Sequence, residues 1–334
     1  MSKPFAVVIT SLLSDTRAIK MYSEYCPHFN SELFIVGDKK SRKAIKFDYC
    51  SYYSLQRQKK LPYKFAQKCP VNNYARKNIG YLEAIKSGYE IIVETDDDNY
   101  PKDSFWHDRK INNKCNYIKD NGWVNVYSYF SNKKIWPRGF PLELLKRTNP
   151  QVSKIDSIKN CPIQQGLVDN DPDVDAIYRM TIGENITFIK NRKLTLGKNV
   201  WCPFNSQNTT WFKKAFPLMY LPSFCNMRLT DIWRSFIAQR IAWTCGWNIL
   251  FHSPNAYQDR NEHNLLSDFA DELPGYQNNR NICNALGELE LKEGVVNIYE
   301  NLFRCYKLMI KNRWIGQKEL KLLETWIKDL DSLP

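Results

Sequence analysis

The sequence lacks a long apolar run and an export signal, and these absences remove whole classes of protein. No apolar stretch approaches the roughly 20 residues that a membrane-spanning helix needs. Residues 5–9 are typical of a buried strand rather than of a signal peptide. We therefore expect a cytoplasmic protein, and peripheral attachment at the inner face of a membrane is the one membrane location left open.

Metal sites built from cysteine and histidine are also disfavoured. The four histidines and ten cysteines are scattered, with no C-x-x-C pair and no histidine close to a cysteine pair. Structural zinc sites require such pairs at short spacing. We expect the thiols to be reduced, as is usual for a protein without an export signal.

Acidic residues are fewer than basic ones. The sequence has 35 aspartates and glutamates and 48 lysines and arginines, which gives a net charge of +13. This excess favours anionic ligands such as nucleotide phosphates, acidic polymers or membrane surfaces. Nucleic-acid binding is a third-ranked hypothesis. It would need cations grouped with stacking aromatic side chains. The basic residues are instead spread along the chain, so we expect no nucleic-acid partner.

What the first half does contain is an alternation of strand and helix patterns. Strand-like segments at residues 5–9, 32–36 and 91–93 are separated by helical patterns, and Gly88 ends the second of these. Such alternation predicts an α/β fold with a parallel sheet. Ligands of these sheets lie beyond the carboxyl ends of the strands, where Asp38 and an acidic triplet occur.

The acidic triplet Asp96-Asp97-Asp98 directly follows the third predicted strand. Adjacent carboxylates repel one another unless a cation neutralises them. On a strand end, Asp96 and Asp98 point to one side and Asp97 to the other. Two carboxylates on one side suit Mn²⁺ or Mg²⁺ with open positions for phosphate oxygens, so we expect Asp96 and Asp98 to hold the cation.

The helical pattern before the third strand carries Ala75-Arg76 and Gly80, about twenty residues before the triplet. A helix of this kind, followed by a strand and an Asp-x-Asp motif, resembles the donor half of GT-A glycosyltransferases. The resemblance implies a Rossmann-like nucleotide-diphospho-sugar transferase domain and a metal-bound diphosphate. It also implies that the donor contacts are Thr10, Asp38, Arg76, Asn78, Asp96 and Asp97.

Five longer motifs lie at residues 77–85, 94–99, 205–209, 231–240 and 259–260. Together they resemble the STELLO family of probable glycosyltransferases. The resemblance implies a GT-A domain over residues 1–265, with a donor half at 1–125 and an acceptor half at 126–265. Amphipathic patterns towards the end of the chain predict a C-terminal helical extension over 266–334.

Three segments, namely the triplet, residues 138–142 and residues 166–176, form a second set of motifs. They resemble the reversibly glycosylated polypeptides, which act as UDP-arabinopyranose mutases. In that family the arginine of the Arg-Gly-aromatic-Pro motif is essential, and Arg138 occupies its place. Asp173 and Asp175 form a second Asp-x-Asp, which by spacing alone could be a metal site. Its loop setting after Pro172 favours sugar or acceptor contacts, although Asp175 can instead cap a helix. A nucleotide-sugar mutase or self-glycosylating protein is therefore the alternative function.

The second half offers further candidates. Asp231 opens a helical pattern, so it is either a structural N-cap or a catalytic base for an acceptor hydroxyl. Arg234 lies one turn later and can contact the sugar or Asp231. For the third metal ligand we expect His252, with His263 and Asp259 as competitors. Within the motif at 205–209 we expect Asn205 and Gln207 to bind substrate.

These features predict a metal-dependent hexosyl- or pentosyltransferase that uses a nucleotide-diphosphate sugar. By analogy with the GT-A fold alone, the donor is expected to be UDP-linked. The acceptor is a hydroxyl of a glycan, a lipid-linked glycan or a protein, as in glycan or polysaccharide synthesis.

Overall fold

The computed structural model describes residues 4–13, 16–41, 49–119, 122–153, 157–260 and 264–334. His263 lies outside these ranges. The strands in them are β1 (Ala6–Thr10), β2 (Glu32–Val36), β3 (Cys50–Tyr53), β4 (Ile91–Asp96), β5 (Asn99–Pro101), β6 (Asn112–Asn113), β7 (Asn116–Ile118), β8 (Gly122–Trp123), β9 (Lys159–Asn160), β10 (Ile163–Asn170), β11 (Lys193–Leu196), β12 (Val200–Trp201), β13 (Asn208–Phe212) and β14 (Ile249–Gln258).

The α-helices in the same ranges include one long helix in the second half and three near the end of the chain. They are α1 (Arg17–Tyr25), α2 (Leu55–Gln58), α3 (Lys64–Lys68), α4 (Lys77–Lys86), α5 (Ala176–Thr181), α6 (Thr230–Thr244), α7 (Leu265–Glu288), α8 (Ile298–Lys311) and α9 (Glu319–Asp331). Short 3-10 turns also occur, including Tyr74–Arg76 before α4 and Asp103–Trp106 after β5.

A mixed sheet of ten strands, counted over the described residues, forms the centre of the molecule. Its order is β3-β2-β1-β4-β13-β10-β14-β11-β7, and β5 pairs with β14. The first four strands are parallel, whereas β13 runs antiparallel to both β4 and β10. The carboxyl ends of β1, β2 and β4 therefore lie at one edge of the sheet. This mixed sheet with its helices confirms the predicted α/β, GT-A-like fold.

Alternation along the strands divides the apolar residues between two cores. In β1, Ala6 and Val8 belong to the larger core, whereas Val7 and Ile9 belong to a smaller one on the opposite face. Helix α1 covers the smaller core, and its Thr16 cap accepts a hydrogen bond from Ile19 N at 3.3 Å. Because Thr16 also donates to Asp97 O at 2.5 Å, the start of α1 is attached to the acidic triplet.

The C-terminal helices pack on the larger core, which includes side chains from α6, α7, α8 and α9. Helix α7 begins earlier than its sequence pattern suggests and continues through Pro274. The carboxylate of Glu319 in α9 accepts hydrogen bonds from Ser223 N at 3.0 Å and Phe224 N at 2.7 Å, which ties this segment to the body of the fold. The division into domains at residue 265 stays a prediction.

The described ranges bear on two expectations from the sequence, one about the thiols and one about membrane-spanning helices. They contain all ten cysteines, and each is a free thiol. Among the helices that they include, none combines the length and the apolar character that crossing a bilayer requires.

We predict that Gly80→Ala destabilises the fold. A Cβ at Gly80 would lie 2.6 Å from Val8 Cγ1 and 2.8 Å from Val36 Cγ2, so α4 would have to move away from β1 and β2. We expect a loss of about 1–3 kcal/mol in the free energy of unfolding, measured by urea denaturation. The control is Gly287→Ala, which meets no atom within 4 Å and should be neutral or stabilising because alanine favours helix. Equal stabilities for the two variants would contradict this packing.

Candidate functional site

A cleft of about 740 Å³ opens at the carboxyl ends of β1, β2 and β4. Strand order explains its position, because Thr10, Val36 and Asp96 are paired in register across these three strands. The cleft brings together most of the residues predicted from the sequence. These are Thr10, Asp38, Arg76, Asp96, Asp97, Asp98, Arg138, Asp173, Gln207 and Asp231.

The three carboxylates of the triplet have different partners. Asp96, the last residue of β4, accepts hydrogen bonds from Tyr74 Oη at 2.9 Å and from Lys77 Nζ at 3.2 Å. Asp97 accepts one from Ser11 Oγ at 2.5 Å. Asp98 lies in the turn between β4 and β5.

Burial and mutual repulsion make it unfavourable to ionise the carboxyl groups of the triplet. Burial, followed by the charge of Asp96, raises the pKa of Asp98 to about 7, although a hydrogen bond from Gln258 opposes this. Burial also raises the pKa of Asp97, against the hydrogen bond from Ser11. Both carboxyl groups are thus harder to ionise than free aspartate, as expected when a buried site holds several carboxylates.

The oxygen ligands of this loop fit a hard cation. Within the described ranges, no group of three or more histidine, cysteine, aspartate or glutamate side chains is arranged to hold a metal by itself. Mg²⁺ does not require one, because proteins commonly hold it with one or two carboxylates and substrate phosphates. Asp96 and Asp98 supply two such carboxylates.

The opposite wall of the cleft is organised by Arg138, which lies between two carboxylates. Its Nε and Nη2 donate to Asp173 at 2.7 and 2.8 Å, and Nη2 also donates to Asp231 Oδ2 at 2.9 Å. Asp231 additionally accepts from Ser206 N and Ser206 Oγ, both at 3.1 Å. All four residues are at most 7 % exposed, so the network is largely shielded from water.

The ion pairs determine the charge states of this network. Burial by itself would raise the pKa of Asp231, but Arg138 outweighs it and lowers that pKa to about 2. Burial also works against the charge of Arg138, yet Asp173 and Asp231 raise its pKa well above the ordinary value. Helix α6 begins at Thr230, and its N-cap is Leu229. Asp231 therefore lies in the first turn of the helix, and the expectation that Asp231 is the N-cap is wrong.

A buried lysine connects the two walls. Lys77 is 0 % exposed, and its Nζ donates to Asp96 Oδ1, to Tyr74 Oη at 2.8 Å and to Ser206 O at 3.3 Å. Tyr74 Oη and Ser206 Oγ lie 2.7 Å apart. Because Ser206 also binds Asp231, an unbroken chain of hydrogen bonds joins the triplet to Arg138.

The remaining donor-side candidates have definite partners. Asp38 accepts from Asn73 N at 2.9 Å through Oδ2, which fixes the end of β2 against the turn before α4. Arg76 donates to the side chain of Gln58 and to the carbonyl of Cys69 at 2.9 Å. Arg76 is among the residues that line the cleft, but its guanidinium is committed to the segment around residues 58–70.

Counted over the described residues, eight aspartates and four arginines line the cleft. The second half contributes Arg228 and Arg260, which pair with Glu272 and Asp268 respectively. The cleft is therefore a local excess of negative charge in a chain of net charge +13. Such a surface favours a cation and disfavours an anion that arrives without one.

Five predicted residues lie outside the cleft, and four of them have structural partners in the body of the fold instead. Asn78 exchanges two hydrogen bonds of 2.9 Å with the backbone of Leu221. Asp175 caps α5 by accepting from Tyr178 N at 2.8 Å, which is the alternative expected for it, and burial raises its pKa to about 6. Asn205 accepts from Gln207 N at 3.0 Å and shapes the loop behind the cleft.

Arg234, the fourth, lies in the core and contacts neither a sugar site nor Asp231. It is 1 % exposed and makes two hydrogen bonds, of 2.7 and 2.9 Å, to the carboxylate of Glu94 in β4. Trp211 Nε1 donates to the same carboxylate at 2.7 Å, and Tyr81 Oη donates to it as well. The arginine that lies one turn after Asp231 in the sequence therefore forms a buried ion pair with Glu94.

The structure does not bring His252 to the triplet. It lines a separate cavity on the sheet, and its Nδ1 lies 2.8 Å from Ser253 O. Burial lowers its pKa to about 4, which keeps the imidazole neutral. Its competitor Asp259 follows Gln258 at the end of β14, and its backbone N–H donates to Asp98 O at 3.3 Å.

The site residues that sequence reasoning missed are neighbours of the motifs that it found. Tyr74 precedes Lys77 by three residues, a spacing that places both on one side of a helical turn. Ser206 lies between Asn205 and Gln207, and Gln258 precedes the motif at 259–260. Ser11, which follows Thr10, had no signal beyond its place at a strand end.

Comparison with known proteins supports the predicted resemblance. Residues 228–334, which include α6 to α9, match the family model described as STELLO glycosyltransferases. The chain is 25% and 26% identical to two proteins of Arabidopsis thaliana named "Probable glycosyltransferase STELLO1" and "Probable glycosyltransferase STELLO2". Each match covers 321 residues, 90% of this chain and 41% of the relative. The chain thus spans less than half the length of these relatives.

Among solved structures, a mycobacterial protein is similar to this chain in part. The match covers 91% of this chain and 75% of the other, with a TM-score of 0.40 and 11% identity. Similarity at this level adds nothing to the assignment of the fold or of the site.

We predict that Arg234→Met reduces stability because it leaves Glu94 as an unpaired buried charge. Loss of one partner of a buried ion pair costs about 3–5 kcal/mol, which chemical denaturation should detect. The matched control is Arg280→Met, since Arg280 and Glu143 form a pair at 3.6 Å with both side chains more than half exposed. The control should cost at most about 1 kcal/mol. A stable but inactive Arg234 variant would instead indicate a direct role in binding.

Proposed function

We propose that this chain transfers a sugar from a nucleotide-diphosphate sugar to a hydroxyl acceptor, using Mn²⁺ or Mg²⁺. The observation that carries the proposal is the acidic triplet at the carboxyl end of β4, facing an arginine held between two aspartates across one cleft. Similarity to proteins named probable glycosyltransferases supports the same reaction class.

On the donor side, Asp96 and Asp98 would hold the cation through carboxylate oxygens. When bound, the cation would supply a counter-charge for the departing diphosphate. Lys77 keeps Asp96 oriented through its hydrogen bond of 3.2 Å, and Ser11 orients Asp97. Thr10 and Asp38, at the ends of β1 and β2, are suited to contact the nucleoside. The GT-A resemblance makes a UDP-linked sugar the first donor to test.

On the acceptor side, Asp231 would accept the hydrogen bond of the attacking hydroxyl and orient its lone pair. Its ion pair with Arg138 keeps the carboxylate ionised but makes it a weaker base than a free aspartate. The hydroxyl proton can therefore pass to Asp231 only as the bond to the sugar forms. Asp173 shares Arg138 with Asp231 and so keeps that guanidinium in place.

We predict that UDP-sugars raise the melting temperature of the protein only when Mn²⁺ is present, because binding to the folded state stabilises it. Asp98→Asn should abolish this shift. Asp108→Asn removes the same charge from an exposed position outside the cleft and should retain it. Binding of donors without any metal, or an unchanged shift in Asp98→Asn, would refute the metal-dependent site.

We predict that Asp231→Asn lowers kcat for sugar transfer by about 10²- to 10⁴-fold, while donor affinity changes little. Product formation from a labelled donor, with a panel of glycan acceptors, measures both quantities. Donor ring isomers that form without any acceptor would instead support the mutase alternative, for which the Arg138 segment provides the sequence resemblance.

A further inference from the structure

A groove of about 1120 Å³, larger than the cleft, lies on one face of the sheet. Its floor includes Gln164 of β10 and Leu250 and His252 of β14. These residues alternate with Ile163, Ile249 and Phe251, which face the larger core. The groove therefore lies on the opposite face, beyond β13, where the smaller core ends.

Positive charge dominates the lining of the groove. Among the described residues, seven lysines and arginines line it, against two carboxylates, Asp103 and Asp108. This ratio is far higher than that of the whole chain, which has 48 basic and 35 acidic residues. Positive charge is therefore concentrated in the groove beyond what the average composition of the chain would give.

Several of these cations have no carboxylate partner among the described residues. Lys110, Lys114 and Lys190 are exposed and line the groove, the first two from one segment of the chain and the third from another. Lys193 donates only to the neutral side chain of Asn113, at 3.2 Å. The exception is Lys102, which pairs with Asp169. Unneutralised cations that converge on one cavity attract an anion that carries several charges.

Arg109 is the most constrained of the cations. Its Nη2 donates to Phe105 O at 2.6 Å and its Nε to Thr210 Oγ1 at 3.2 Å, and the guanidinium lies 4.0 Å from the ring centroid of Phe5. All of these partners are neutral. Burial lowers its pKa to about 9, so a bound anion would be its missing counter-charge.

The backbone holds the walls in place before any ligand arrives. Lys102 N donates to Asn255 O at 2.9 Å, and Ser253 N donates to Arg192 O at 3.0 Å. Gln164 Nε2 donates to Lys110 O at 2.8 Å. The segments that carry the cations are therefore fixed to β10 and β14, which lowers the entropy lost on binding.

The other lining groups indicate which polyanion fits. Asn116, Asn191, Asn255 and Ser104 present amides and a hydroxyl that can hydrogen-bond to sugar hydroxyls. No phenylalanine, tyrosine or tryptophan of the described chain lines the groove, so it lacks the large aromatic side chains on which the bases of single-stranded nucleic acids stack. The concave groove crosses β7, β11, β14 and β10, about 14 Å at the usual strand spacing, and a flat membrane surface would not enter it.

We propose that this groove binds an acidic polysaccharide, a linear polymer whose carboxylate groups pair with the cations while its hydroxyls contact the amides. Strand β14 runs from the groove at Asn255 to the cleft at Gln258, about 10 Å further along the strand. A polymer in the groove is therefore held close to the cleft. Binding here does not depend on sugar transfer in the cleft.

The test is binding of a fluorescently labelled polygalacturonate oligosaccharide, followed by anisotropy over a series of salt concentrations. Lys110→Gln/Lys114→Gln/Lys190→Gln removes three charges from the groove. It should weaken binding by about tenfold or more and reduce the salt dependence, because fewer ions are released on binding. The control Lys307→Gln/Lys311→Gln/Lys318→Gln removes three exposed charges from the C-terminal region and should change the dissociation constant by less than about twofold.

Three outcomes would overturn the proposal. Equal weakening in the groove and control variants would show a general charge effect. Equally tight binding of neutral dextran would show that charge is not used. Tighter groove-dependent binding of single-stranded RNA of equal charge would make it a nucleic-acid site. Asp98→Asn should bind the polymer as wild type does, so a failure of the donor site is distinguishable from a failure here.

Discussion

The buried pair of Glu94 and Arg234 joins the two halves of the molecule below the cleft. Glu94 lies in β4, two residues before the acidic triplet, and Arg234 lies in α6, one turn after Asp231. Trp211 and Tyr81 donate to the same carboxylate, so one ionised group connects two strands and two helices. A buried carboxylate with this many partners tolerates little displacement, because any lost partner leaves charge unsatisfied. The distance between the triplet and Asp231 depends on that constraint.

Charge is distributed around this centre in two opposite ways. The cleft collects aspartates, several of them at the strand ends, whereas the sheet face behind β14 collects lysines and arginines. Both sites depend on β14, which contributes His252 to the groove and Gln258 to the cleft. A net charge of +13 gives no indication of this separation. It arises because strands that are far apart in the chain become neighbours in the sheet.

The strands that could be predicted are those whose residues are apolar on both faces. Three strands have such patterns, namely β1, β2 and β4, and the structure has them close to the expected positions. Helix α6, predicted from its helical pattern of apolar residues, also lies close to its expected position. Strands β10 and β13 escaped detection because Gln164, Gln165, Asn208 and Thr209 are polar yet buried. Their side chains are satisfied by partners such as Asn208 O for Gln165 Nε2, at 3.1 Å. Such pairing exists only once both strands are in place.

By itself the sequence determined the features that depend on local order: parallel strands that end in acids, a triplet of adjacent carboxylates, and motifs shared with the STELLO family. Only the tertiary structure decided which of several chemically equivalent groups serve the cleft. Arg138 and Arg234 are equally plausible in the sequence, but one faces Asp173 and Asp231 while the other is enclosed with Glu94. Likewise His252 suits a metal by type but lies in the basic groove. The reason is physical: a side chain acts on what surrounds it, and those neighbours come from strands and helices that only long-range packing brings together.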